Sequence, residues 1–318
     1  LVNTLNKKLQ RTTNIIIKDC LGIKKNEKVV VVTDKICRTI GYSLWHALRK
    51  ITDPIIIEIT PRQIHGEEPP QLVADILKKC DVFIMPTSCS LSHTQARIEA
   101  NRHGARGTTM PGITTEIMGR TLNADYKKIA DTTLKLVNQL SKAKKAFIKT
   151  DKKTTLELNL KGRKGFIDTG IIQKPGEFSN LPAGEAYIAP VENKTNGNII
   201  IDGSFAPIGI LKKKVTLEIK NGNLIELKGS KRLNQIFKKY GKNERIVCEF
   251  GIGTNPKAKI TGKVLEDEKV LGSIHIAFGN NLAFGGKNQA KIHLDAVVKK
   301  PSVWLDKTPI IKKGKFIF

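Results

Sequence analysis

Lys28-Val29-Val30-Val31-Val32-Thr33 is a short, largely β-branched run with no polar alternation, the text of a strand buried on both faces of a parallel sheet. Two similar runs follow, Ile55-Ile56-Ile57-Glu58-Ile59 and Val82-Phe83-Ile84-Met85. Helix-like segments lie between and after them, at Arg38 to Lys50, Pro70 to Lys79, Ser92 to Arg102 and Asp125 to Leu140. Strands alternating with helices predict an open, mostly parallel α/β layer over residues 1–145. Past Lys145 the pattern changes. Thr154-Thr155-Leu156-Glu157-Leu158-Asn159-Leu160 alternates cleanly, and Val215 to Lys220 and Leu224 to Leu227 flank the hairpin signal Asn221-Gly222-Asn223. With one helix, Arg232 to Tyr240, residues 146–318 read as a β-rich α+β domain. The lysine-rich stretch Ala143 to Lys149 marks the boundary, and 318 residues exceed the usual size of one core.

The hydrophobic share of 40% is enough for a real interior, and no apolar run reaches the length of a membrane span. The first residues, Leu1 to Leu21, have only Ile15-Ile16-Ile17 as an apolar stretch and lack a signal-peptide core. A cytoplasmic location is the expectation. Cys20, Cys37, Cys80, Cys89 and Cys248 are scattered without a C-x-x-C pair, so reduced, mostly buried thiols are expected rather than a disulfide framework or a thiolate metal site. The net charge of +26 raises the question of nucleic acid. Only 11 of the 55 basic residues are Arg, the type favoured for bidentate phosphate and base recognition. The lysines also run the whole length of the chain, so a solvated lysine-rich surface is the better reading.

The chemistry gathers near the C-terminus. His275, His293 and Asp295 all lie in β-like text, and neutral imidazole with carboxylate is a usual ligand set for a divalent metal. Residues i and i+2 of a strand share a face, so His293 and Asp295 can reach one ion while Leu294 turns to the core. Glu185 follows the Pro/Gly turn Leu181-Pro182-Ala183-Gly184, and Glu249 sits in apolar β text where an unpaired carboxylate would be costly. Together these residues are enough for two ions bridged by a carboxylate, a centre able to activate water and polarise a carbonyl. Each residue alone has a plainer reading as a satisfied core histidine or a buried acceptor; their joint presence favours metal. Glu268 or Glu266, just upstream of His275, is placed to shuttle a proton, or else belongs to a solvated turn. His93, Arg97 and Arg106 either bind a substrate carboxylate or brace the first domain. Asn280-Asn281 and Phe284-Gly285-Gly286 suggest a loop at the site mouth. His46, His65 and His103 have no spaced partners and read as structural.

Leu181-Pro182-Ala183-Gly184-Glu185-Ala186-Tyr187-Ile188-Ala189-Pro190, Glu249-Phe250-Gly251, His275-Ile276-Ala277-Phe278-Gly279 and His293-Leu294-Asp295 resemble, in order, motifs of the aminopeptidase T-like metallopeptidases. Ser92 to Arg97 and Gly104-Ala105-Arg106 resemble the family more loosely. The resemblance implies a dinuclear zinc- or cobalt-dependent aminopeptidase, working as a homodimer and removing N-terminal residues from short peptides. It places Glu185, Glu249, His275, His293 and Asp295 on the metal positions. The family's tyrosine ligand, seven residues after the first histidine, is Leu282 here, and the interval from His275 to His293 is short. Dihydroxypyridine dioxygenases are similar to this family and use one iron(II). The alternative is therefore a ring-cleaving dioxygenase whose mononuclear non-haem iron is held by His275, His293 and Asp295 alone.

Overall fold

The computed structural model describes residues 9–151 and 154–318. They form two compact units. One holds the described residues up to Ala130 together with Asp168–Ala183, and the other holds those of Asp131–Ile167 with Gly184–Phe318. Where the sequence suggested a single boundary at 145/146, the chain crosses between units more than once.

The first unit is built on a five-stranded sheet in the order Ile55–Ile59, Val29–Asp34, Val82–Met85, Arg106–Thr109, Phe178–Asn180. Every pairing is parallel. Val29 to Val32 and Val82 to Met85 are fully buried, as doubly covered strands require. Ile55 is not: it is 53% exposed because its strand forms the sheet edge. Helices Gln71–Leu77 and Gln95–Arg102 cover one face through Val73, Leu77, Ala96 and Ala100. Helix Arg38–Leu48 lies so close on Val29–Asp34 that a Cβ at Gly41 would sit 2.6 Å from Thr33 Cβ.

The second unit contains two antiparallel sheets. The eight-stranded sheet runs Asn223–Lys228, Val215–Lys220, Asn196–Ile201, Leu156–Asn159, Lys145–Lys149, Ser302–Leu305, Thr308–Lys312, Lys315–Phe316. The seven-stranded sheet runs Gly209–Ile210, Ser204–Phe205, His293–Val298, Ile274–Gly279, Val247–Gly253, Glu185–Ile188, Gly165–Asp168. One apolar core joins them, with Leu156, Ile199 and Leu217 from the first packed with Phe250, Ile276, Phe278 and Ala296 from the second. Strand alternation then decides the rest: if Ile274, Ile276 and Phe278 face the core, His275 must point to the opposite face. Among the described residues no helix is long and apolar enough to cross a membrane.

Candidate metal centre

The centre lies on the face of the seven-stranded sheet that is turned away from that core. The register pairs His275 with Gly251 and Val297, Ala277 with Asp295, and Gly279 with His293. Tyr187 also pairs with Gly251, and Glu185 with Gly253. Following i, i+2 along each strand, Glu185, Glu249, His275, His293 and Asp295 all emerge on one face. Small residues, Gly251, Gly253, Ala277 and Gly279, fill the positions between them. Gly251 is indispensable here, since a Cβ on it would fall 2.0 Å from His275 Cε1 and 2.2 Å from Nε2. The imidazole occupies the volume a side chain at 251 would need.

The five predicted ligands come together as a continuous series. His275 Nε2 lies 3.6 Å from Glu185 Oε2 and 3.1 Å from Glu249 Oε1. Glu249 Oε2 lies 3.2 Å from His293 Nε2, which is 3.4 Å from Asp295 Oδ1. His275 is fully buried, whereas the His293 side chain is 33% exposed and forms the open end of the series. Glu268 reaches the same cluster: it, Glu185 and His275 each offer a ligand atom, all within 4.8 Å of one another. Glu266 does not. Its carboxylate accepts from Lys259 N and Thr261 Oγ1 and fastens the loop before it.

Four carboxylates thus crowd two imidazoles, and the Lys269 ammonium contacts two of them, Glu185 and Glu268. Burial disfavours a charged His275, yet the Glu249 hydrogen bond and the charges of Glu185, Glu249 and Asp295 raise its pKa to about 9. Burial likewise opposes His293 ionisation, but Cys248 and Asp295 push its pKa well up. Glu249 goes the other way: burial opposes its charge, and hydrogen bonds from both imidazoles hold it low. Carboxylates that favour a charged imidazole this strongly would equally favour a divalent ion among them. His275 Nδ1 is also buried without a hydrogen-bond partner. On donor chemistry and on charge, the residues fit a divalent cation.

The neighbours orient the open end. His293 Nδ1 lies 2.9 Å from Asn280 O and 3.6 Å from Cys248 Sγ, which leaves Nε2 directed at the carboxylates. Phe284 meets the His293 ring edge-on at 6.0 Å, and Phe166, Tyr187 and Phe284 pack together with centroids 5.6–6.4 Å apart. The loop carrying Phe284 is fastened by Glu192, which accepts from Asn281 Nδ2 and Lys287 N and pairs with Arg163. Leu282 is 49% exposed on the short turn Leu282–Phe284 and offers no donor.

Sequence reasoning assigns no role of their own to Lys269, Gly251, Phe166 or Tyr187, and places Phe284 in a loop at the site mouth. The first was hidden in the charged run Leu265-Glu266-Asp267-Glu268-Lys269, and only its burial separates it from a solvated lysine. Among the residues proposed for substrate, His93 is exposed in the first unit. Arg97 donates to Ser92 O and Asn101 Oδ1 and stacks 4.2 Å over Phe178. Burial lowers its pKa to about 10. Arg106 donates to both oxygens of Glu27 and to the carbonyls of Leu21 and Gly22. In this unit both arginines brace the fold.

Comparison with known proteins decides between the two readings of such a centre. The family model described as NicX, 2,5-dihydroxypyridine 5,6-dioxygenase, matches residues 47–318. The solved 2,5-dihydroxypyridine dioxygenase from Pseudomonas putida KT2440 is similar with a TM-score of 0.85 at 16% identity, over 98% of this chain and 97% of that one. Wild-type AmpT from Thermus thermophilus is similar with a TM-score of 0.73 at 15% identity, over 98% of this chain and 99% of that one. At such identities the two structures show a shared fold and no more. No curated protein matches the chain. The family match overturns the expectation of an aminopeptidase-like hydrolase. Both solved structures share the chain's fold, so the fold by itself does not separate the two readings. Zinc or cobalt, expected on the same ground, loses its support; the donor set fits a divalent metal, and iron agrees with the family. By the match across residues 47–318, the chain belongs to the 2,5-dihydroxypyridine 5,6-dioxygenase family.

Proposed function

We propose that this protein is a mononuclear non-haem iron dioxygenase that opens the ring of a hydroxylated pyridine, with 2,5-dihydroxypyridine as the first substrate to try. His275, His293 and Asp295 would hold the iron(II), two imidazoles and one carboxylate being the set that leaves coordination positions open. Bound there, iron(II) would supply the one-electron chemistry by which dioxygen reacts with a closed-shell aromatic ring. The chain's own residues account for the rest. Glu249 stands between the two imidazoles, 3.1 Å from His275 Nε2 and 3.2 Å from His293 Nε2, and so borders the same position. Asn280 O and Cys248 Sγ keep Nδ1 of His293 engaged. Phe284, with Tyr187 and Phe166 behind it, provides an aromatic wall beside the exposed edge of His293, suited to a flat ring.

The observation that carries this reading is the placement of His275, His293 and Asp295 on one face of adjacent strands, within a chain of this family. The test is anaerobic purification with iron(II), metal analysis and oxygen uptake on 2,5-dihydroxypyridine. One iron per chain is expected, with both atoms of ¹⁸O₂ recovered in a ring-opened product. Iron-loaded protein that consumes no oxygen with any dihydroxypyridine, or places only water oxygen in the product, would refute the reading.

A further inference from the structure

Lys269 follows Glu268 at the end of the short helix Val264–Asp267 and is 2% exposed. Its backbone is tied on both sides: its N–H donates to Glu266 O at 3.0 Å, and its carbonyl accepts from Asn255 N at 2.8 Å. The ammonium is therefore delivered into the cluster from a fixed origin. Nζ bonds Glu185 Oε1 and lies 2.9 Å from Glu268 Oε1. The other oxygen of Glu185, Oε2, lies 3.6 Å from His275 Nε2. Glu185, Glu268 and His275 are thus spaced as a cation's ligand shell, and two of these three already share a cation supplied by the chain.

We propose that Lys269 is the second cation of this centre: a tethered ammonium that neutralises Glu185 and Glu268 and holds the number of divalent ions at one. An ammonium offers three donors and no lone pair, so it satisfies carboxylate oxygens and cannot itself ligate a metal. Its charge also repels a second divalent ion in a setting with little water to screen it. The remaining donors, Glu249, His275, His293 and Asp295, stay available to one ion at the end where His293 is open. This inference rests on the single-iron reading and says what enforces it.

The test counts ions in the folded protein. Wild type, Lys269→Met, Lys269→Arg and the double variant Lys269→Met/Glu268→Gln are incubated anaerobically with excess Co(II), desalted and analysed for metal. Their circular dichroism and thermal melting are recorded with and without Co(II). One ion is expected in wild type and in Lys269→Arg, which keeps the charge. Two are expected in Lys269→Met, with a melting temperature that rises on Co(II) addition by more than in wild type. The double variant, having lost one acid with the ammonium, is expected to fold and return to one ion. Folded Lys269→Met that takes one ion, with affinity within threefold of wild type, overturns the inference while leaving the single-iron reading intact. Wild type that takes two ions overturns both. If Lys269→Met fails to fold without metal, the double variant decides: its failure to fold even with saturating Co(II) makes Lys269 a packing element and overturns the assignment.

Discussion

At the scale of single residues, Gly251 and His275 are two halves of one feature. The ring lies where a Cβ at 251 would be, so Gly251→Ala must either tilt the imidazole or spread the Val247–Gly253 and Ile274–Gly279 strands. Spreading would cost ladder hydrogen bonds, while a ring can turn about χ1 and χ2 with less disturbance. Gly251→Ala is expected to stay folded, with far-ultraviolet circular dichroism unchanged, and to bind iron at least tenfold more weakly in an anaerobic titration. Unchanged iron affinity would show that the ring's present position does not matter for the metal. Phe284 permits a second test at this scale. It meets His293 edge-on and stands at the open end, so Phe284→Ala removes a stacking face while every proposed ligand is kept. Aromatic pairing contributes about 0.5–1.5 kcal/mol, so KM for a dihydroxypyridine should rise up to about tenfold with iron content unchanged. A loss of iron instead would make Phe284 a support for His293 and not a substrate wall.

At the scale of elements, the loop after Ile274–Gly279 owes its shape to one partly buried acid. Glu192 receives Asn281 Nδ2 and Lys287 N and pairs with Arg163. Asn281 is packed so tightly that a Cβ on Gly286 would meet its side chain at 1.9–2.2 Å. Burial opposes Glu192 ionisation, but those bonds and the Arg163 charge hold its pKa below the usual range. Glu192→Gln should therefore loosen residues 281–287, which hydrogen exchange would detect as lost protection there, and should lower stability by about 1–3 kcal/mol. Protection unchanged in that loop would contradict the assignment. How much of this was legible in the sequence follows from range. Local signals carried far: the valine run, the Asn221-Gly222 hairpin and most helix spans of the first unit appear close to where pattern places them. His293 and Asp295 needed only the strand period. The loop braces were not legible, because Glu192 and Arg163 are ordinary charged residues until the fold brings them to positions 281–287. Lys269 shows the same limit: a lysine inside an acidic run reads as solvated, and its burial depends on strands far away in sequence.

At the scale of the whole molecule, acid stability depends on pairs that close long loops, and Glu27–Arg106 is one such pair in the first unit. Arg106 is 5% exposed and donates to both Glu27 oxygens at 2.8 and 2.9 Å, joining positions 79 residues apart. Burial works against Glu27 ionisation, but the Arg106 hydrogen bonds outweigh it and lower its pKa in the folded protein. A carboxyl whose folded pKa lies below its unfolded value, about 4.3, contributes stability in full above that unfolded value. The contribution fades as pH falls from there through the folded pKa. Glu27→Gln leaves Arg106 buried beside a neutral amide, which should cost about 3 kcal/mol near neutral pH. The same substitution removes one proton-uptake site, so the variant should lose less stability than wild type between pH 5 and the acid transition, and the two curves should draw together. Urea melts across that range measure both quantities. Parallel curves with a constant offset would mean that Glu27 acts by shape alone, and that the acid limb is set elsewhere, by the carboxylates gathered around His275.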